Sequence, residues 1–281
     1  EEAERITGLP LLGIIHKVED FESEINDPRS ALAEAYRSLC TTLQLATAGG
    51  LPRSLIVTSS SPSEGKSTSC ATVAKQLAVM GMRTLLIDAD LRNASLHKKL
   101  GLDNSLGLSN FLTSGVAAEE AIQSTGVDNL FFMSSGPLPP NAAELLATQK
   151  MRSLIDAAKE SFDCVIIDAP PVMGLADSPL LTRSADATVF VVASGQARIA
   201  TLRGALKRLS LARANVIGMV VTKFDSKQAG YGYGYGYGYG YGYGGKESYS
   251  YGQIATTAAS ENSADAERPA TFRQKIFRPN I

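Results

Sequence analysis

The chain has 281 residues, 44% of them hydrophobic and 20% charged, with a formal net charge of −1. That is enough apolar material for one substantial α/β domain with appendages, and the near-zero charge excludes the global basic field of a nucleic-acid binder. Two isolated histidines, His16 and His97, argue against a metal cluster, no apolar run approaches the roughly 20 residues of a membrane span, and Cys40, Cys70 and Cys164 read as reduced, buried thiols.

Taken in order, residues 1–27 read as an acidic, irregular linker segment without a visible signal peptide. Its exception is Leu9-Pro10-Leu11-Leu12-Gly13-Ile14-Ile15, an edge strand or a docking segment. A helix is expected from Arg29 to about Thr47, capped by Asp27 with Pro28 in its first turn. Leu32, Tyr36, Leu39 and Leu43 form its apolar stripe, while Glu34 and Arg37 lie one turn apart on another face, as a solvated pair or an interface pair. Beyond Gly49-Gly50-Leu51-Pro52, strands are expected near 54–59, 83–88, 129–133, 163–168, 187–192 and 215–222. Helices are expected near 67–79, 107–123, 141–160, 177–184 and 198–211. This alternation predicts a doubly wound, mostly parallel α/β sheet of P-loop type over residues 28–228.

Ser54 to Thr68 organises the chain: an apolar strand empties into a small-residue loop ending in Gly65-Lys66-Ser67-Thr68 at the start of a helix. Backbone N–H groups in such a loop converge on phosphate oxygens, the lysine reaches the β- and γ-phosphates, and the serine holds Mg²⁺. Ser60 stands where the pattern G-x-x-x-x-G-K-[ST] has its first glycine. Ser63, Glu64, Gly65, Lys66, Ser67 and Thr68 are therefore the candidate nucleotide-binding residues, with Lys66 expected to face solvent and make few packing contacts. Two more apolar strands end in aspartate, at Leu85-Leu86-Ile87-Asp88-Ala89-Asp90-Leu91-Arg92 and Val165-Ile166-Ile167-Asp168-Ala169-Pro170-Pro171. In a doubly wound sheet these carboxylates line the crevice at the strands' carboxyl ends, as ligands for Mg²⁺ and water. Arg92 can orient Asp88 or Asp90, or cap a strand end. The loop from Gly136 to Asn141 either borders the pocket or only connects two elements.

After Phe224-Asp225 the composition changes. Gly230 to Gly245 alternates Tyr and Gly, carrying Tyr231, Tyr233, Tyr235, Tyr237, Tyr239, Tyr241 and Tyr243, with Tyr249 and Tyr251 beyond. Residues 229–281 are expected to be a disordered tail, because alternating glycine is costly to order and leaves little to pack. Phe272-Arg273-Gln274-Lys275-Ile276-Phe277-Arg278 gives it a basic end.

Together these features resemble the bacterial tyrosine kinases that govern capsule and exopolysaccharide production, in the form fused to a membrane-spanning co-polymerase. Residues 60–68 look like that family's Walker A motif, 85–92 its extra D-x-D-x-R motif, and 165–171 its Walker B motif. The Leu9 to Ile15 entry, the Pro-Pro-Asn141-Ala-Ala-Glu144-Leu-Leu segment and the tyrosine-rich tail extend the likeness. The resemblance implies an ATP- and Mg²⁺-dependent tyrosine autokinase. Asp88 would be the base, with Lys66 and Asp90 in the catalytic centre, Ser67, Asp90 and Asp168 around the metal, and Arg92 at the nucleotide. The nine tail tyrosines would accept phosphate from a neighbouring subunit of a ring such as an octamer. It further implies the polysaccharide export machinery and a tyrosine phosphatase as partners, and a place at the cytoplasmic face of the inner membrane, behind a transmembrane region that makes residue 1 an internal point of a longer protein. The residues themselves do not rank the three carboxylates.

Two departures stand out. The family's ring contact has the form E-x-x-R-x-x-R, and here Glu34 and Arg37 are followed by Cys40, which predicts a weaker ring. Ser63 replaces a glycine usual in the loop, a change expected to matter little. The competing readings are a deviant-Walker partitioning ATPase, whose signature lysine falls at Ser61 here, and a nucleotide-gated scaffold without kinase activity.

Overall fold

In the computed structural model, residues 2–225 are described; the expectations for the tyrosine tract and the rest of the tail lie outside the described residues. The chain opens with α1 (Glu2–Thr7), β1 (Leu11–His16), α2 (Phe21–Asn26) and α3 (Ala31–Leu45). It continues with β2 (Ser54–Ser59), α4 (Lys66–Val79), β3 (Thr84–Asp88), α5 (Leu96–Leu100), α6 (Leu108–Ser114), α7 (Ala118–Ala121), β4 (Ile122–Ser124) and β5 (Leu130–Met133). The last part is α8 (Ala142–Leu146), α9 (Gln149–Ser161), β6 (Cys164–Asp168), α10 (Asp177–Leu181), β7 (Ala187–Ala193), α11 (Ile199–Leu211) and β8 (Val216–Phe224).

The eight strands form one sheet in the order β1-β8-β7-β2-β6-β3-β5-β4, parallel except for the β4–β5 pair. Strands β2, β3, β6 and β7 are buried at every residue, as expected of parallel strands covered on both faces. Alternation sorts their side chains: Leu55 and Val57 join α3 and α4 in one core layer, while Ile56 faces the opposite layer with α9. From β2 the chain moves outward to β3 and β5, then returns through β6 to β7 and β8 on the other side of β2. The ends of β2, β3 and β6 thus meet in one crevice, where ligands bind in sheets of this kind.

Several boundaries differ from expectation. The edge-strand alternative for the Leu9 to Ile15 stretch holds: residues 11–16 pair in parallel with β8, so the segment expected as linker is irregular only around this strand, and α1 packs its Ala3 and Ile6 against the layer formed with α11. The cap of α3 is Ser30, whose Oγ accepts from the N–H of Ala33 (2.9 Å); Asp27 instead accepts from the N–H of Arg29. The single helix expected over 107–123 breaks at Gly115, which ends α6 in the left-handed region (φ +70°). The helix expected over 141–160 is interrupted at Thr148, whose hydroxyl accepts from the N–H of Met151 and starts α9. Among the described residues no helix is long and apolar enough to cross a membrane.

Candidate active site

The loop between β2 and α4 is braced from within. Glu64, almost fully buried, accepts from the Ser60 hydroxyl (2.9 Å) and the Ser61 N–H (2.6 Å) through one carboxylate oxygen. Its side chain therefore shapes the loop from inside. On the other side Thr222 of β8 donates to the carbonyl of Glu64 (2.6 Å), and Lys223 donates to the carbonyl of Ser63 (2.6 Å) and to Gln196 (3.2 Å). Gly65 then takes φ +91°, open to glycine and strained for other residues, and α4 begins at Lys66.

Lys66 is not the free, solvent-facing side chain expected from the sequence. It is 7% exposed, and its Nζ donates to Asp90 Oδ2 (2.9 Å) and Asp168 Oδ1 (3.3 Å), with Ser67 Oγ also at 3.3 Å. Burial works against the charged amine, but Asp168 and Asp90 outweigh it and hold its pKa above the ordinary lysine value. The register Asp88↔Asp168 sets these two aspartates side by side at the ends of β3 and β6. Asp88 is fully buried: Oδ1 accepts from the N–H of Asp90, and Oδ2 from the N–H groups of Ser95 and Leu96 where α5 begins. Burial, followed by the nearby Asp168 charge, pushes its pKa up to about 7 despite those donors. Asp90 Oδ1 accepts from the N–H groups of Arg92 and Asn93. Burial also raises the Asp168 pKa, with Lys66 opposing it. The Cys70 thiol donates to Asp168 Oδ1 (3.7 Å), while Asp168 Oδ2 is buried without a hydrogen-bond partner.

That orphaned oxygen suits a hard cation or its bound water. Among the described residues no three carboxylate, histidine or cysteine side chains form an ion cage. A cavity of about 650 Å³ adjoins the loop at Gly65, Thr68 and Thr222 and runs along α4. Neither the three aspartates nor the 136–141 loop lines it; that loop is tied instead to Asn104, which bonds both the N–H and the carbonyl of Gly136.

Comparison with known proteins identifies the family of this chain. A family described as AAA domain matches residues 61–215. Tyrosine-protein kinase YwqD of Bacillus subtilis is 35% identical over 208 residues, covering 74% of this chain and 88% of its own length. The chain belongs to the bacterial tyrosine-protein kinases. The putative tyrosine-protein kinase EpsB of Ralstonia solanacearum is 34% identical over 73% of this chain, but only 27% of that longer protein is covered. The solved kinase domain of the Escherichia coli tyrosine kinase ETK superposes with a TM-score of 0.76 at 27% identity, covering 84% of this chain and 98% of that one.

The structure of this kinase corrects three further expectations. Ser63 lies at φ +63°, in the left-handed region where glycine is at ease and serine is strained, so the departure from glycine has a cost. Arg92 engages neither Asp88 nor Asp90 through its side chain. Its Nε and Nη2 donate to Asp177 Oδ2 (2.5 Å) and Oδ1 (3.1 Å), linking the loop after β3 to the first residue of α10, with Asp177 fully buried. Cys40 is also fully buried, in the core layer under α3, where burial pushes its thiol up to about 12. It cannot be a surface contact. Glu34 and Arg37 do remain at the surface, paired at 2.5 Å, with Arg37 also donating to the carbonyl of Pro28. The sequence reading missed Asp177, Thr222 and Cys70. Of these only Cys70 carried a signal, since it lies four residues beyond Lys66, on the same face of α4.

Proposed function

We propose that this tyrosine kinase transfers the γ-phosphoryl group of ATP to the tyrosines of its own C-terminal segment, Tyr231 to Tyr243 with Tyr249 and Tyr251, and does so in trans between chains. The observation that carries the reading is the meeting of Lys66 with Asp88, Asp90 and Asp168 at the ends of parallel strands behind a phosphate loop, in a chain whose tail supplies nine tyrosines.

Phosphoryl transfer asks mainly for positioning and charge neutralisation. The N–H groups from Ser63 to Thr68 and the Lys66 ammonium would hold the phosphates. Ser67, Asp90 and Asp168 would hold Mg²⁺, the last through its unpartnered Oδ2. Bound Mg²⁺ would neutralise charge developing on the transferred group. The tyrosine oxygen bonds to the γ-phosphorus as the bond to the ADP bridging oxygen breaks, and the phenolic proton passes to Asp88. A tyrosine pKa near 10 makes that acceptor necessary, and a carboxylate near pH 7 is well matched to it. Three backbone donors fix its position. Arg92, held by Asp177, would steady the nucleotide side of the crevice.

Residues 28–228 would form the catalytic domain and 229–281 its substrate. Subunits would meet through Glu34 and Arg37 in a ring, which accumulating phosphate, about −1.5 to −2 charges per site, would loosen. Through this cycle the kinase would regulate a polysaccharide polymerisation and export assembly at the cytoplasmic face of the inner membrane, with a tyrosine phosphatase resetting it. The test mixes a Lys66→Met chain, verified as folded, with a kinase-competent chain truncated after Asp225. Phosphotyrosine on the inactive full-length chain is the expected result. No transfer at any concentration, with the wild-type chain still phosphorylating itself, would place the reaction within one chain.

A further inference from the structure

The cavity beside the phosphate loop continues well past any nucleotide phosphate. Its near end touches Gly65 and Thr68; Lys75, on its wall, lies nine residues beyond Lys66, about 13 Å further along α4. Lys17, Lys75, Lys99 and Lys223 all line this cavity, and Glu22 is the one carboxylate among its lining residues. Among the described residues none of the four lysines is paired with a carboxylate. Lys75 donates to Asn26, and Lys223 to the Ser63 carbonyl and Gln196, all neutral partners. Between the lysines the wall mixes apolar Phe21, Ile25 and Leu130 with polar Tyr36, Thr72 and Gln76. A cavity of about 650 Å³ that sets aromatic and aliphatic side chains beside four ammonium groups suits an aromatic ligand carrying a dianion. A nucleotide anchored at Lys66 would bring its phosphates to the cradle and only a neutral base towards this groove.

We propose that the groove along α4 is a phosphotyrosine site whose occupant is the kinase's own C-terminal segment after phosphorylation. The described chain ends at Asp225, two residues beyond Lys223 on the groove's wall and six residues before Tyr231 in the sequence. Each phosphate adds about −1.5 to −2 charges, which the lysines complement, while unmodified tyrosine offers them nothing. The site thus reads the product of the reaction. Because its near end adjoins Gly65 and Thr68, a docked product would bear on the nucleotide site. The inference rests on the proposed tail phosphorylation for its biological occupant, but the binding itself does not require it.

The experiment uses the dephosphorylated full-length chain and a synthetic peptide of residues 246–253 labelled for fluorescence anisotropy, with phosphate on Tyr249 and Tyr251. Since that phosphate is introduced chemically, the result does not depend on the kinase activity of the protein. Binding at least tenfold tighter than the unphosphorylated peptide is expected. The Lys75→Glu/Lys99→Glu double variant should lose at least tenfold while keeping its Mg·ADP affinity within twofold; Lys75→Gln/Lys99→Gln should lose less, and circular dichroism should show both folded. Equal binding of the two peptides would overturn the proposal. So would unchanged binding to folded variants, one-for-one displacement by Mg·ADP, or binding of phosphatidylserine vesicles at the same lysines without the peptide.

Discussion

Replacing Lys66 with methionine, the natural way to silence a P-loop kinase, should cost this protein stability as well as activity. The ammonium lies between Asp90 and Asp168 at 2.9 and 3.3 Å, and all three residues are buried. Removing one partner of a buried pair typically costs about 3–5 kcal/mol, because the remaining charge stays uncompensated. Protonation can relieve it. Asp168 already has a raised pKa in the fold, and without Lys66 it rises further, so the folded variant binds more protons than the unfolded chain over mildly acidic pH. Stability falls with rising pH wherever the folded state holds the extra proton. The penalty should therefore be full near pH 8, about 3 kcal/mol or more, and clearly smaller near pH 5. Lysine itself stays charged throughout that window. Urea unfolding of wild type, Lys66→Met and Lys66→Arg at the two pH values measures this directly. If Lys66→Met matches wild type within about 0.5 kcal/mol at pH 8, the ion pairs carry no stability and the reasoning fails.

Four other substitutions probe the corrected geometry. Cys40→Arg should destabilise the fold by several kcal/mol, since the new charge enters the core under α3; an unchanged melt with a larger species in sedimentation would restore Cys40 to an interface. Arg92→Ala should cost more stability than Asp177→Ala, because the first strands a fully buried carboxylate and the second releases a half-exposed arginine to water; thermal denaturation of the two variants would refute this by showing the reverse order. Ser63→Gly relieves a left-handed serine at φ +63°, which costs about 1 kcal/mol or more, against the added chain entropy of glycine, about 0.5–1 kcal/mol. Its urea midpoint should stay level or rise, and a fall of more than about 0.5 kcal/mol would show that the side chain contributes something the geometry does not reveal.

The central strands were legible because burial on both faces demands unbroken apolar, β-branched runs, and β2, β3, β6 and β7 have them. The edges were less so. Strand β4 is three residues, Ile122–Ser124, and β1 depends on pairing with β8 from the far end of the domain. In the site, Lys66, Asp88, Asp90 and Asp168 came together as read, because each terminates or follows a strand whose place the alternation fixes. What the sequence concealed are contacts between distant parts of the chain. Arg92 meets Asp177 across 85 residues, and Thr222 supports Glu64 across 158. No local pattern encodes such pairs. The burial of Cys40 is different. It lies four residues after Tyr36 and three before Leu43, squarely on the apolar stripe of α3, so helical periodicity already placed it inside, and weighing the motif over the period hid this.

The central claim is that the site built around Lys66 and Asp88 places phosphate on this chain's own tail tyrosines. Mass spectrometry of the tail after incubation of the full-length chain with Mg·ATP, at pH 6 and pH 8, tests it most directly. With Asp88 titrating at about 7 and needed as carboxylate, the initial rate should be roughly tenfold higher at pH 8. The phosphate should appear among Tyr231 to Tyr251, and a folded Asp88→Asn chain should lose roughly 10²- to 10⁴-fold in rate. Phosphotyrosine forming at the same rate at both pH values, or at wild-type rate in Asp88→Asn, would contradict the assignment of the base, and a tail free of phosphotyrosine under all conditions would contradict the account itself.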